Sequence, residues 1–138
     1  MQIPVVLDTN VILSALLFGG KPRQILEMAL RGKIQIYLSE PLTEEISAVL
    51  HRPKFRCTPE AIQIILSELI GIAQWVEPSQ QLSIIDDDPD DNRVLECANE
   101  AQAEFLVTGD SHLLGIKKYG GIRIVTPDQF LTAIQHRG

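Results

Sequence analysis

Pro4-Val5-Val6-Leu7-Asp8-Thr9-Asn10 is the stretch whose reading decides the fold. The apolar run Pro4 to Leu7 reads as a buried strand. It stops at three polar residues suited to helix starts, and Val11 to Phe18 then reads as a helix. A strand that is apolar throughout and passes directly into a helix is the repeating unit of a parallel α/β sheet covered on both faces.

Working outward, the same alternation recurs. Gly19-Gly20 breaks the first helix. Ile25, Leu26, Ala29 and Leu30 form the stripe of a second, with Gly32 as its stop. Ile34 to Leu38 is the second strand. Ser39 is the expected cap of a helix carrying Leu42, Ile46, Val49 and Leu50 on one face, and Pro53 ends it. Thr58-Pro59 opens a helix whose stripe is Ile62, Ile65, Leu66, Leu69, Ile70 and Ala73. Gln74 to Glu77 is a short candidate strand. Asp88-Pro89 opens a helix with Val94, Leu95, Ala98 and Ala101 inward. Phe105 to Thr108 is a strand, a short helix runs through Leu114, and Ile122 to Val125 is the last strand. Thr126-Pro127-Asp128-Gln129 reads as a capping box ahead of Phe130, Leu131 and Ile134. The expected fold is a three-layer α/β/α arrangement around a central parallel sheet of about five strands, Rossmann-like in type.

The chain has 138 residues, 45% hydrophobic, with no internal repeat or linker, so residues 1–138 are read as one domain. The net charge of −6 disfavours a general nucleic-acid coating protein. An acidic nuclease is still admitted, because bound cations change the charge that meets phosphate. Cys57 and Cys97 are too few for a disulfide framework and lack zinc spacing. Neither a signal peptide nor a membrane helix is read, and a cytoplasmic protein is expected.

In parallel sheets ligands bind beyond the carboxyl ends of the strands. The first strand ends at Asp8, and the strand Phe105 to Thr108 is followed by Asp110. Both carboxylates therefore lie at one edge, although either could simply cap the helix that follows. On a helical wheel Glu45 borders the apolar face set by Leu42, Ile46, Val49 and Leu50, whereas Glu44 points to water. Asp86-Asp87-Asp88-Pro89-Asp90-Asp91 is the densest acidic run. Within it Asp88 fits the N-cap, and Asp91 faces inward with Val94 and Leu95. A solvated loop, or a capping-box partner at Asp91, is the plainer reading.

Carboxylates gathered at one edge repel unless protons or cations sit between them. An oxygen-only donor set without a His or Cys group points to Mg²⁺ or Mn²⁺ rather than zinc. His51, His112 and His136 are scattered and carry no expected ligand role, though His112 follows the site and is a candidate substrate contact. Arg52, Lys54 and Arg56 form a basic patch after the helix of Glu45. Ordinary surface solvation competes there with phosphate contact. Lys117-Lys118-Tyr119 is similar.

Val6-Leu7-Asp8-Thr9-Asn10-Val11 resembles the opening motif of PIN domains. Leu42-Thr43-Glu44-Glu45-Ile46, followed by Val49-Leu50, resembles the segment carrying their second acid. Asp88-Pro89-Asp90-Asp91-Asn92 resembles the third, and Val107-Thr108-Gly109-Asp110 with Leu113-Leu114 the fourth. Thr126-Pro127 near Phe130-Leu131 also matches. The motifs keep their order over nearly the whole chain. The resemblance implies a Mg²⁺- or Mn²⁺-dependent endoribonuclease, similar to VapC-like toxins of toxin–antitoxin pairs. It assigns Asp8, Glu45, Asp91 and Asp110 as catalytic and metal-holding acids, with Asp88 the alternative register for the third. Thr9, Asn10 and Thr108 become supporting polar residues, and Arg52, Lys54 and Arg56 candidate RNA contacts. It further implies an RNA substrate, a cognate antitoxin and a homodimer or higher homo-oligomer. A catalytically silent PIN scaffold that binds RNA or a protein is the alternative. Haloacid-type phosphotransferases want an Asp where Asn10 stands, and receiver domains want a lysine where Thr126 follows Val125.

Overall fold

The computed structural model describes residues 2–84 and 89–137. Its strands are β1 (Ile3–Leu7), β2 (Ile34–Leu38), β3 (Ala73–Trp75), β4 (Phe105–Val107), β5 (Lys118–Tyr119) and β6 (Ile122–Val125). Its α-helices are α1 (Thr9–Leu17), α2 (Gly20–Leu30), α3 (Glu40–Leu50), α4 (Pro59–Ile72), α5 (Pro89–Ala101), α6 (Ser111–Ile116) and α7 (Pro127–Gln135), with a short 3-10 turn at Pro53–Phe55.

The strands form one sheet in the order β3-β2-β1-β4-β6-β5. All pairings are parallel except β5 with β6. The five expected parallel strands are all present, and β5 adds a sixth as an antiparallel edge. Lys118 and Tyr119, read from sequence as a basic surface patch, pair with Arg123 and Ile122 across a turn at Gly120-Gly121. Gly120 has φ of 58°, a conformation that a side chain would strain. The third strand lies at Ala73–Trp75 rather than Gln74 to Glu77, so Ala73 leaves the helical stripe proposed for it. Ile70 of that stripe is largely exposed.

Alternate residues of each central strand enter different layers. Val5, Leu7, Phe105 and Val107 pack with Ile12, Ile25, Ile46, Leu69 and Phe130 on one face. Val6, Leu106, Ile122 and Ile124 pack with Val94, Leu95, Ala98 and Leu113 on the other. Each face therefore buries a continuous apolar layer under helices, which explains the unbroken apolar runs of the central strands β1 and β4. Phe105 and Phe130 meet edge to face, with centroids 5.1 Å apart.

Helix starts follow local chemistry. The Thr58 hydroxyl accepts from the Ala61 N–H, and the Thr126–Gln129 capping box closes in both directions. Ser39 holds the cap position of α3, but its side chain makes no capping bond, contrary to expectation. It lies instead against the buried Cys97 thiol.

The chain moves from β1 outward to β2 and β3, then returns to lay β4 on the other side of β1. The β1–β4 boundary is thus the topological switch point, and in sheets of this type ligands bind beyond the carboxyl ends of the strands there.

Candidate functional site

Asp8 and Asp110 lie at that edge, just beyond the ends of β1 and β4. The Asp8 N–H bonds Val107 O at 2.9 Å, and the Thr108 N–H bonds Val125 O at 2.9 Å, so ladder bonds fix both strand ends. Asp8 occupies the N-cap position of α1, yet its side chain makes no capping bond. Its carboxylate instead accepts the Thr108 hydroxyl at Oδ2 over 2.7 Å. The same Thr108 oxygen accepts the Asp110 N–H at 3.0 Å, so one hydroxyl ties the two acids together. Of the capping roles weighed from sequence, Asp110 does fill one. Its Oδ1 accepts the N–H groups of His112 and Leu113 at 2.8 and 3.2 Å.

Glu45 enters from α3. The Thr9 hydroxyl donates to Glu45 Oε1 at 2.9 Å and lies 3.4 Å from Asp8 Oδ1. Glu45 is half-buried and Glu44 exposed, as the helical wheel requires. Asp91 enters from α5, which packs on β1, and is itself buried. Donor atoms of Asp91, Asp110 and His112 lie within 4.8 Å of one another. Asn10 is exposed on α1 beside the buried Thr9.

Burial shapes the electrostatics. Asp8 is only 4% exposed, and loss of water pushes its pKa above the ordinary 3.8. The hydroxyl of Thr108 and the N–H of Thr9 pull it down, and the charge of Asp110 pushes it up again. A cation among these groups would relieve that repulsion. The donor set is chemically suited to a divalent ion such as Mg²⁺ or Mn²⁺, being built chiefly of carboxylates.

Residues 4–112 match the family model of the PIN domain. The chain belongs to the PIN-domain family. That family is one of nucleases, and the acid cluster of this chain is of the kind a nuclease uses. This PIN domain is 31% identical over 143 residues to the uncharacterized protein MJ1680 of Methanocaldococcus jannaschii, an alignment covering 95% of this chain and 91% of the relative. Its fold is similar to that of a chain in the crystal structure of VapBC2 from Rickettsia felis bound to a DNA fragment from their promoter. The TM-score there is 0.61 at 16% identity, covering 88% of this chain and 97% of the other.

Other residues of the PIN domain fall outside the acid cluster. Arg52, Lys54 and Arg56 are exposed beyond the far end of α3 from Glu45. Asp88 lies outside the described residues. His112, given no ligand role from sequence, joins Asp91 and Asp110. Spacing could not reveal this, because the contact with Asp91 is made between α5 and α6. A cavity of about 500 Å³ lined by Gln2, Lys33, Gln135 and Arg137 lies at the opposite end of the strands and lacks such acids. The Cys97 thiol, pushed up to about 12 by burial, is no nucleophile. No helix among the described residues is long and apolar enough to cross a membrane.

Proposed function

We propose that this PIN domain is a divalent-metal-dependent endoribonuclease acting on single-stranded RNA in the cytoplasm, the toxin of a toxin–antitoxin pair. The whole chain, residues 1–138, serves as one nuclease domain in this reading. The observation that carries it is the convergence of Asp8, Asp110, Asp91 and Glu45 at the switch-point edge of the sheet, from two strand ends and two helices.

Asp8, Asp91 and Asp110, with Glu45, are the residues that would hold Mg²⁺ or Mn²⁺. When bound, such an ion polarises a phosphodiester and lowers the pKa of a water molecule. The chain's own contribution is orientation. Thr108 directs its proton at Asp8 and Thr9 directs its own at Glu45, so both carboxylates are held at the switch-point edge before substrate arrives. Arg52, Lys54 and Arg56 supply phosphate contacts away from the acids.

Likeness to a VapBC2 chain supports a protein partner, read as a cognate antitoxin. Exposed Leu30, in a groove of about 120 Å³ lined also by Leu16, Leu26, Ile65 and Ile72, supplies apolar surface for it. A homodimer or higher homo-oligomer belongs to the same reading.

The test is cleavage of a labelled RNA oligonucleotide by the purified chain with Mg²⁺ or Mn²⁺, with excess chelator, and with Asp8→Asn, followed by sequencing of the RNA ends. Cleavage that needs both metal and Asp8 is expected. Metal binding without turnover would instead identify a silent scaffold, and undiminished cleavage in chelator would sink the metal mechanism.

A further inference from the structure

The sequence offers an oxygen-only set of acids, but the structure adds a nitrogen. Asp110 caps α6 by accepting the His112 N–H at 2.8 Å, which pins the backbone of His112 beside the acid. The imidazole Nδ1 lies 3.6 Å from Asp110 Oδ1, with the ring half in solvent. Asp91 closes the group, all three donors lying within 4.8 Å of one another. Ligands of one ion at about 2.1 Å stand no more than roughly 4 Å apart, so modest side-chain rotation brings these three onto a common ion.

We propose that His112 is a ligand of the metal held by Asp91 and Asp110, and that its imidazole biases the centre toward Mn²⁺ over Mg²⁺. This rests on the metal site proposed above. Mg²⁺ is hard, demands oxygen and keeps its waters, so an imidazole adds little to its binding. Mn²⁺ shares the preference for carboxylate oxygen but stands in the transition-metal series, whose ions also bind nitrogen donors, so an imidazole beside two carboxylates favours it over Mg²⁺. The position suits exchange with substrate as well. Asp8 and Asp91 are buried, Asp110 is partly open, and His112 stands at the solvent side.

The experiment is direct binding of Mn²⁺ and of Mg²⁺ to the full chain, with pulsed electron paramagnetic resonance of the Mn²⁺ complex. Wild type, His112→Gln and Asp91→Asn are compared. His112 is exposed and its capping N–H is backbone, so His112→Gln keeps α6, which circular dichroism checks. The expected result is nitrogen hyperfine modulation in wild type that disappears in His112→Gln. Mn²⁺ affinity should fall by at least about tenfold, the lower end of what losing even a supporting partner of a ligand costs, while Mg²⁺ affinity stays nearly unchanged. Mn²⁺ bound by wild type without nitrogen modulation, or modulation surviving in His112→Gln, overturns the role of His112 and leaves the acid site intact. No Mn²⁺ bound by wild type overturns both.

Discussion

Asp8 is where the stability of the fold and the proposed chemistry oppose each other. Its carboxylate is buried and raised in pKa, first by loss of water and then by Asp110, with Thr108 and Thr9 only partly offsetting this. A carboxyl whose folded pKa exceeds its unfolded value holds its proton more tightly when folded. Its stabilising contribution is therefore complete below the unfolded value of 3.8 and is lost as pH rises through the folded value. At neutral pH the ionised group burdens the metal-free fold. Asp8→Asn should accordingly melt higher than wild type without metal at neutral pH. That advantage should shrink as the pH is lowered toward 3.8. The same variant should lose RNA cleavage. Melting curves across this range check the first part; an advantage that grows on acidification would refute the electrostatic account. Glu45 and Glu44 allow a cleaner contrast, because they are adjacent but face different surroundings. Glu45→Gln should abolish cleavage, since Glu45 takes the Thr9 hydroxyl, while the exposed Glu44→Gln should be nearly silent. Equal rates for the two variants would remove Glu45 from the site.

The start of α5 carries a trade between capping and chemistry. Pro89 is the first residue of α5, which makes Asp88 the expected N-cap and sets Asp91 in the first turn, where it is buried near Asp110. Asp88→Ala should cost about 1 kcal/mol of stability and spare much of the activity. Asp91→Asn should lose metal-dependent cleavage with little unfolding. Thermal melts and cleavage rates at saturating Mg²⁺ check both, and the reverse pattern would make Asp88 the third acid. Elements of this kind were legible because their signals are local. β1, β2, β4 and β6 announced themselves as apolar runs, and the α4 and α7 starts by Thr-Pro pairs. β5 was not, because two residues have no periodicity; only Gly120-Gly121 between Tyr119 and Ile122 signalled a hairpin. The acids followed the same division. Asp8 and Asp110 could be placed from strand ends, and Glu45 from its helix face. His112 could not, because its neighbour Asp91 comes from another helix.

At the scale of the molecule, the proposed function asks an acidic chain to bind an acidic polymer. With a net charge of −6, the long-range field repels RNA, and attraction has to come from bound cations and from local basic groups. The cation term is measurable first. Saturating Mn²⁺ or Mg²⁺ should raise the melting temperature of wild type, by linkage worth about 2.7 kcal/mol at a hundredfold excess over the dissociation constant, and should do little for Asp91→Asn. The proposal assigns the basic term to Arg52, Lys54 and Arg56, which are exposed around the turn that follows α3, with Lys54 Nζ 5.1 Å from the Phe55 ring centroid. Each cation that neutralises a phosphate of single-stranded RNA releases counterions and adds about 0.7 to the slope of log affinity against log salt. Replacing all three with glutamine should therefore weaken binding for every RNA sequence alike and flatten the slope by as much as about 2. Arg56 has φ of 53°, which strains arginine and glutamine equally, so the replacement adds no new backbone cost. Binding must be separated from cleavage, and a Glu45→Gln background does this while leaving the patch untouched. Titrations of that protein and its triple variant over a range of salt give the two slopes. A smaller slope in the triple variant places phosphate on the turn after α3. An unchanged slope returns these residues to ordinary surface and leaves the metal site to carry the attraction alone.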